Sequence, residues 1–157
     1  MFRHLLVPLD GSGFSEAALP YALEMAAQFD SDITLLRVIL PPRAGEGALS
    51  PESADFMIKL RDDLYKEAIE YLQHLKGSLR QQNYKAHYQV AESEDVAAEI
   101  ISAVRGSGAD TVIMCTHGRG GLSRWLFGSV ATRVLQTAPV PVLAIRPSSV
   151  ESTREAN

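Results

Sequence analysis

"DTVIMCTHGRGGLSRWLFGSVATR", residues 110–133, decides how the chain folds. Residues 110–116 are mostly apolar and β-branched, the composition of a strand buried on both faces. Four glycines follow within eleven residues, at 118, 120, 121 and 128, and from Ser129 the pattern turns helical. Glycine costs backbone entropy, so this concentration marks a place where something comes close to the main chain. A buried strand that passes through a glycine-rich turn into a helix is the front half of a β-α-β unit.

Working outward, the same alternation recurs along the chain. "RHLLVPLD" (3–10) is a short apolar run ending in a "DGSG" turn, a second buried strand. Residues 15–29 carry a helical stripe through Ala18, Leu19, Ala22, Leu23 and Ala26. Ser15 is the expected cap, and Pro20 should kink this helix or delay its start. "DITLLRVIL" (32–40) is a strand stopped by Pro41 and Pro42, and residues 41–52 form a glycine/proline loop expected to be the most mobile region.

Residues 53–82 repeat Leu60, Leu64, Ala68, Leu72, Leu75 and Leu79 at helical spacing. Residues 85–92 alternate Ala86, Tyr88 and Val90 inward, as suits a sheet edge. Residues 93–104 read as a helix opened by a cap-type serine and running on to the "GSG" at 106–108. A helix over 129–138 and a strand over 140–146 complete the series. Pro139 and Pro141 are expected to strip donors from the exposed edge of that last strand. No internal repeat interrupts the order. Strands alternating with helices predict an α/β fold: one doubly wound, five-stranded parallel sheet with helices on both faces.

Composition limits the function. The chain has 157 residues, 46% hydrophobic and 22% charged, with a formal net charge of −4. That length suits one domain, expected over residues 1–147, followed by a polar, disordered tail over 148–157. A mildly acidic chain without a Lys/Arg block is a poor nucleic-acid binder. Cys115 is the only cysteine, so neither an intrachain disulfide nor a cysteine metal cluster is available. The N-terminal apolar run is too short for a signal sequence or a membrane span, and a soluble cytoplasmic protein is expected.

In such sheets ligands bind beyond the carboxyl ends of the strands, where strand order reverses. A helix N-terminus offers unpaired N–H groups, and neighbouring glycines let an anion reach them. A phosphate is the natural visitor. The sequence lacks the GxxxxGK[ST] loop, the GxSxG elbow and HExxH. "GSGFSE" (11–16) starts like a dinucleotide fingerprint, but Glu16 takes its sixth position and would repel a pyrophosphate.

The pattern G-x2-G-x9-G-[S/T], between an "ADxxxM" strand and a "PVPVL" strand, resembles the universal stress protein family. The "LVPLDGS" start resembles it too, and so does the element order over residues 2–146. The resemblance implies the ATP-binding branch, with a Rossmann-like sheet of order 3-2-1-4-5. It implies that Gly118, Gly128, Ser129 and Val130 hold phosphates through backbone N–H groups and the serine hydroxyl. Asp10 would bond the ribose, and Pro8, Val38 and Met114 would line the adenine pocket. ATP, or AMP or ADP, is the implied ligand, with Mg²⁺ arriving alongside it. A homodimer through the strand from Val140 to Arg146 is also implied, as is a stress-response role exercised through site occupancy.

One position departs from the pattern: Cys115 stands where the first motif glycine belongs. A positive φ there would cost a cysteine about 1–2 kcal/mol, whereas a mere close approach at a strand end accommodates a small side chain. The second reading is preferred. Two other functions stay open, an interaction dimer with a vestigial pocket and a slow ATP-using enzyme.

Other residues have plainer readings. Asp10 can form an Asx-turn, with or without a ribose. His117 lacks a visible partner for acid–base work, Arg119 and Arg124 could reach phosphates but read as exposed, and Trp125 and Phe127 read as packing under the loop. Cys115 reads as buried and inert rather than redox-active. His4, His74 and His87 share no metal-like spacing.

Overall fold

The computed structural model describes residues 1–43, 51–116 and 128–146, with backbone alone for Pro51 and Glu52. Gly118, His117, Arg119, Arg124, Trp125 and Phe127 lie outside the described residues, as does the expected tail.

Strand β1 (His4–Pro8) lies at the centre of a five-stranded parallel sheet of order β3-β2-β1-β4-β5. β2 (Asp32–Ile39) pairs with it on one side and β4 (Thr111–Cys115) on the other, each running parallel. β3 (Lys85–Glu92) and β5 (Val142–Ile145) are the edges. This is the predicted sheet. Its central strands are apolar runs because both their faces are covered.

The helices divide between the faces. α2 (Leu19–Phe29) and α3 (Pro51–Gln81) cover one face, where Ala22, Ala26, Leu72 and Leu79 pack against Leu5, Val7, Leu35 and Ile113. α4 (Val96–Ser107) and α5 (Ser129–Thr137) cover the other, where Ile100, Val104 and Val134 meet Leu6, Leu36, Val112 and Met114. Adjacent strand residues serve opposite cores, as the period of a strand requires.

The first helix departs from expectation. It is split into α1 (Gly13–Glu16) and α2, and Pro20 falls in the first turn of α2, where no backbone donor is needed. Ser12 caps α1 by accepting the Ser15 amide at 3.2 Å. Ser15, the expected cap, is buried inside the turn instead. α4 likewise starts on Asp95 rather than Ser93, and ends on Gly108 in the left-handed region, φ 71°. His4 is structural, its Nε2 lying 2.8 Å from Thr34 Oγ1.

The edge prolines act otherwise than expected. The Val112 amide donates to the Pro141 carbonyl at 2.9 Å, and the Thr116 amide to the Ile145 carbonyl at 2.9 Å. Residues 141, 143 and 145 therefore turn their backbone groups toward β4, since a strand residue points N–H and C=O the same way. Pro141 removes no donor from the free edge, and Pro139 lies outside the strand. Val142 and Ala144 present theirs outward intact.

Candidate functional site

The chain leaves β1 toward β2 and leaves β4 toward β5, so strand order reverses between β1 and β4. At the carboxyl end of β1, Asp10 makes the Asx-turn: the Ser12 amide donates to its Oδ1 at 2.9 Å, and the Ser12 hydroxyl donates to the same oxygen. The Asp10 amide donates to the buried Ser15 hydroxyl at 3.2 Å, and that hydroxyl donates to the Ser12 carbonyl at 2.8 Å. One carboxylate is thereby fixed above the switch point.

Across the switch, β4 and α5 are tied at their facing ends. The Gly128 amide donates to the Thr116 carbonyl at 2.7 Å, closing the base of the segment between them. A Cβ at Gly128 would sit 3.3 Å from that carbonyl oxygen, closer than most side chains tolerate. Its φ of −57° is ordinary, so the close approach is what asks for glycine here. Gly128 is also the N-cap, with no side-chain cap bond, which puts Ser129 at the first helical position. The first intrahelical bond runs from Thr132 to the Gly128 carbonyl at 2.9 Å. The amides of Ser129, Val130 and Ala131 precede it, so no carbonyl of the helix itself takes them.

Val38, Met114 and Val130 belong to one apolar cluster, on the α4/α5 face. Pro8 follows Leu6 in the strand alternation and turns the same way. Cys115 does not. It is buried in the opposite core with Val7 and Ile113, and it is not among the residues of positive φ. A cysteine at the first glycine position of the pattern thus costs no backbone strain, and its side chain points away from the Val38–Met114–Val130 side.

A cleft of about 440 Å³ continues this end of the sheet between the N-termini of α4 and α5, lined by Arg43, Glu94, Asp95, Ser129, Val130 and Arg133. Two ion pairs bracket it, Arg43–Glu94 at 3.5 Å and Arg133–Asp95 at 2.9 Å. The Ala98 amide and then the Arg133 guanidinium hold the Asp95 carboxyl below its ordinary value. A depressed carboxylate stabilises the fold above its unfolded pKa, and that contribution fades as pH falls through the folded one. Asp95→Asn keeps a capping oxygen but no charge. Chemical denaturation should find it less stable than wild type near neutral pH, with the difference shrinking as pH falls below the ordinary carboxylate range.

Two arrangements escaped the sequence reading. The Arg43/Arg133 cleft was hidden because its charges come from segments far apart in the chain. The second is Arg37, an arginine inside the apolar run of β2, whose oddity in "LLRVI" was the available signal. A Cβ at Gly11, where φ is +79°, would fall 2.7 Å from Arg37 Nη1. Among the described residues no group of three or more His, Cys, Asp or Glu could hold a metal ion, and no helix is long and apolar enough to cross a membrane.

Comparison with known proteins bears on this geometry. The family model described as "Universal stress protein family" matches residues 1–146. Universal stress protein MJ0531 of Methanocaldococcus jannaschii is 31% identical over 147 residues, covering 93% of this chain and 83% of the relative. The solved structure of MJ0577, from the same organism, superposes with a TM-score of 0.80 at 26% identity, covering 95% of this chain and 99% of that one. A universal stress protein from Archaeoglobus fulgidus, solved in complex with dAMP, shares the fold with a TM-score of 0.63 at 19% identity, covering 91% and 97%.

Proposed function

The chain belongs to the universal stress protein family, and from that premise we propose that it binds ATP or a related adenine nucleotide at the switch point and works as a homodimer. One observation carries the reading. The Asp10 turn, the Val38–Met114–Val130 cluster and the leading amides of α5 lie at one end of the sheet, around the β1/β4 reversal. They match the three parts of a nucleotide.

Adenine fits the apolar group of Val38, Met114 and Pro8, and the ribose hydroxyls donate to Asp10. Asp10 Oδ1 holds the turn at the same time. The phosphates meet the Ser129 and Val130 amides and the Ser129 hydroxyl, and the family pattern assigns a further phosphate contact to Gly118. Gly128 contributes by leaving room, since its own amide is donated to Thr116. Cys115 takes part through its backbone alone. Mg²⁺ enters with the nucleotide, held by its phosphates. The A. fulgidus complex with dAMP supports an adenine nucleotide as the class of ligand.

The role follows from occupancy rather than turnover. Thermal melting tests the binding: at Mg-ATP near 100 Kd the midpoint should rise by several degrees, corresponding to about 2.7 kcal/mol. An unchanged midpoint at millimolar Mg-ATP would favour the vestigial pocket. Steady ADP release at about 1 s⁻¹ would make the chain an enzyme instead.

A further inference from the structure

We propose that Arg37 is a positioning residue for ribose recognition: its guanidinium, seated under the Gly11 turn, sets the direction in which the Asp10 carboxylate meets the sugar. The inference rests on the adenine-nucleotide reading above.

Arg37 sits two residues before the end of β2, between Leu36 and Val38, where an apolar side chain would ordinarily bury itself. Its Nε and Nη1 are withdrawn from solvent. An arginine cannot shed its charge on burial, so it persists where its planar fork is used. The fork lies directly beneath Gly11, which a Cβ placed 2.7 Å from Nη1 makes plain. Gly11 is the residue between Asp10 and Ser12, the two ends of the Asx-turn. The turn cannot settle inward while the guanidinium is there.

The far side of the turn is braced as well. The Tyr71 hydroxyl, from α3, donates to Glu16 Oε1 at 2.8 Å, fixing the last residue of α1. Burial foremost, then the Glu16 carboxylate, push the Tyr71 phenol well above its usual range, while the positive charge of Arg37 pulls the other way. Tyr71 thus feels the charges of Glu16, Arg37 and Asp10. Ser15 holds the Asp10 amide from inside the turn. Removing Arg37 leaves Asp10 its chemistry and takes away the floor that aims it.

Calorimetric titration with ATP and with 2′,3′-dideoxyATP separates aiming from mere support. Wild type should favour ATP by about tenfold or more, the range for hydrogen bonds to a charged acceptor. Arg37→Met should bring that preference to within about twofold, mainly by weakening ATP and hardly touching the dideoxy ligand. Arg37→Lys keeps a charge without the fork and should lose the preference too, so it decides the matter if the methionine variant fails to fold. In an Asp10→Ala background, Arg37→Met should change ATP affinity by less than about twofold, because both act through one contact. A folded Arg37 variant with the wild-type preference overturns the proposal, and so do effects that add to those of Asp10→Ala. Wild type that binds ATP without preferring the ribose hydroxyls overturns it alone. Wild type that binds no adenine nucleotide overturns the site reading itself.

Discussion

Gly128→Val, combined with Gly118→Val, will raise the dissociation constant for ATP by about a hundredfold or more, a loss of roughly 3 kcal/mol. The junction of β4 and α5 sets the size of the effect. The Gly128 amide reaches the Thr116 carbonyl at 2.7 Å, and a Cβ on Gly128 would lie 3.3 Å from that same oxygen. Valine adds two further methyl groups beyond the Cβ, so the carbonyl and the helix start must move apart. The helix itself survives, since φ at this position is −57° and its first bond comes from Thr132. What moves is the direction of the Ser129 and Val130 amides relative to Asp10 across the switch point. Hydrogen bonds to a charged group contribute about 1.5–3 kcal/mol each, so losing two gives the stated effect. Calorimetric titration measures it, with circular dichroism confirming the fold. ATP binding at wild-type strength by the folded double variant would remove the phosphate role assigned to this junction.

The sheet was legible because its strands are short apolar runs with proline or glycine at their ends, as in "RHLLVPLDGSG" and "DITLLRVILPP". The helix starts were less so. Ser15, Ser93 and Ser129 read as starters, yet Ser12, Asp95 and Gly128 hold the cap positions. Several oxygen-bearing residues stand within one turn of each start. The choice among them is made by backbone angles, such as ψ 150° at Ser12, that neighbouring strands impose.

The candidate site was legible to the extent that it consists of strand ends. Pro8, Asp10, Val38 and Met114 could be placed at the ends of predicted strands from the sequence, whereas the support under Asp10 could not. Arg37 and Tyr71 come from β2 and α3, and only the folded chain brings the guanidinium and the phenol together beside the turn. The side taken by Cys115 needed nothing more than alternation: Met114 and Cys115 are adjacent, so they must serve opposite faces.

Ala144→Pro will convert the proposed dimer to a monomer, weakening association by about a hundredfold or more while leaving the protomer folded. The parity of β5 is the reason. Pro141 and Ile145 direct their carbonyls to β4, so Ala144, one residue out of step, directs its N–H and C=O to the free edge. A proline there costs the protomer no hydrogen bond within its own sheet. A twofold mate pairing antiparallel would lose the Ala144 donor twice, once from each copy. Each loss strands a carbonyl in a closed ladder at about 1–3 kcal/mol, and the ring adds bulk between the strands. Leu143, 39% exposed, adds apolar surface that a twofold mate would cover.

Light scattering should therefore report a mass near 17.1 kDa for the variant and twice that for wild type. Leu143→Pro is the contrasting change: its N–H faces β4, so the protomer's own sheet should suffer first and thermal stability should fall. If Ala144→Pro remains dimeric with unaltered affinity, the ladder through β5 is not the interface, and any association must use another face of the protein.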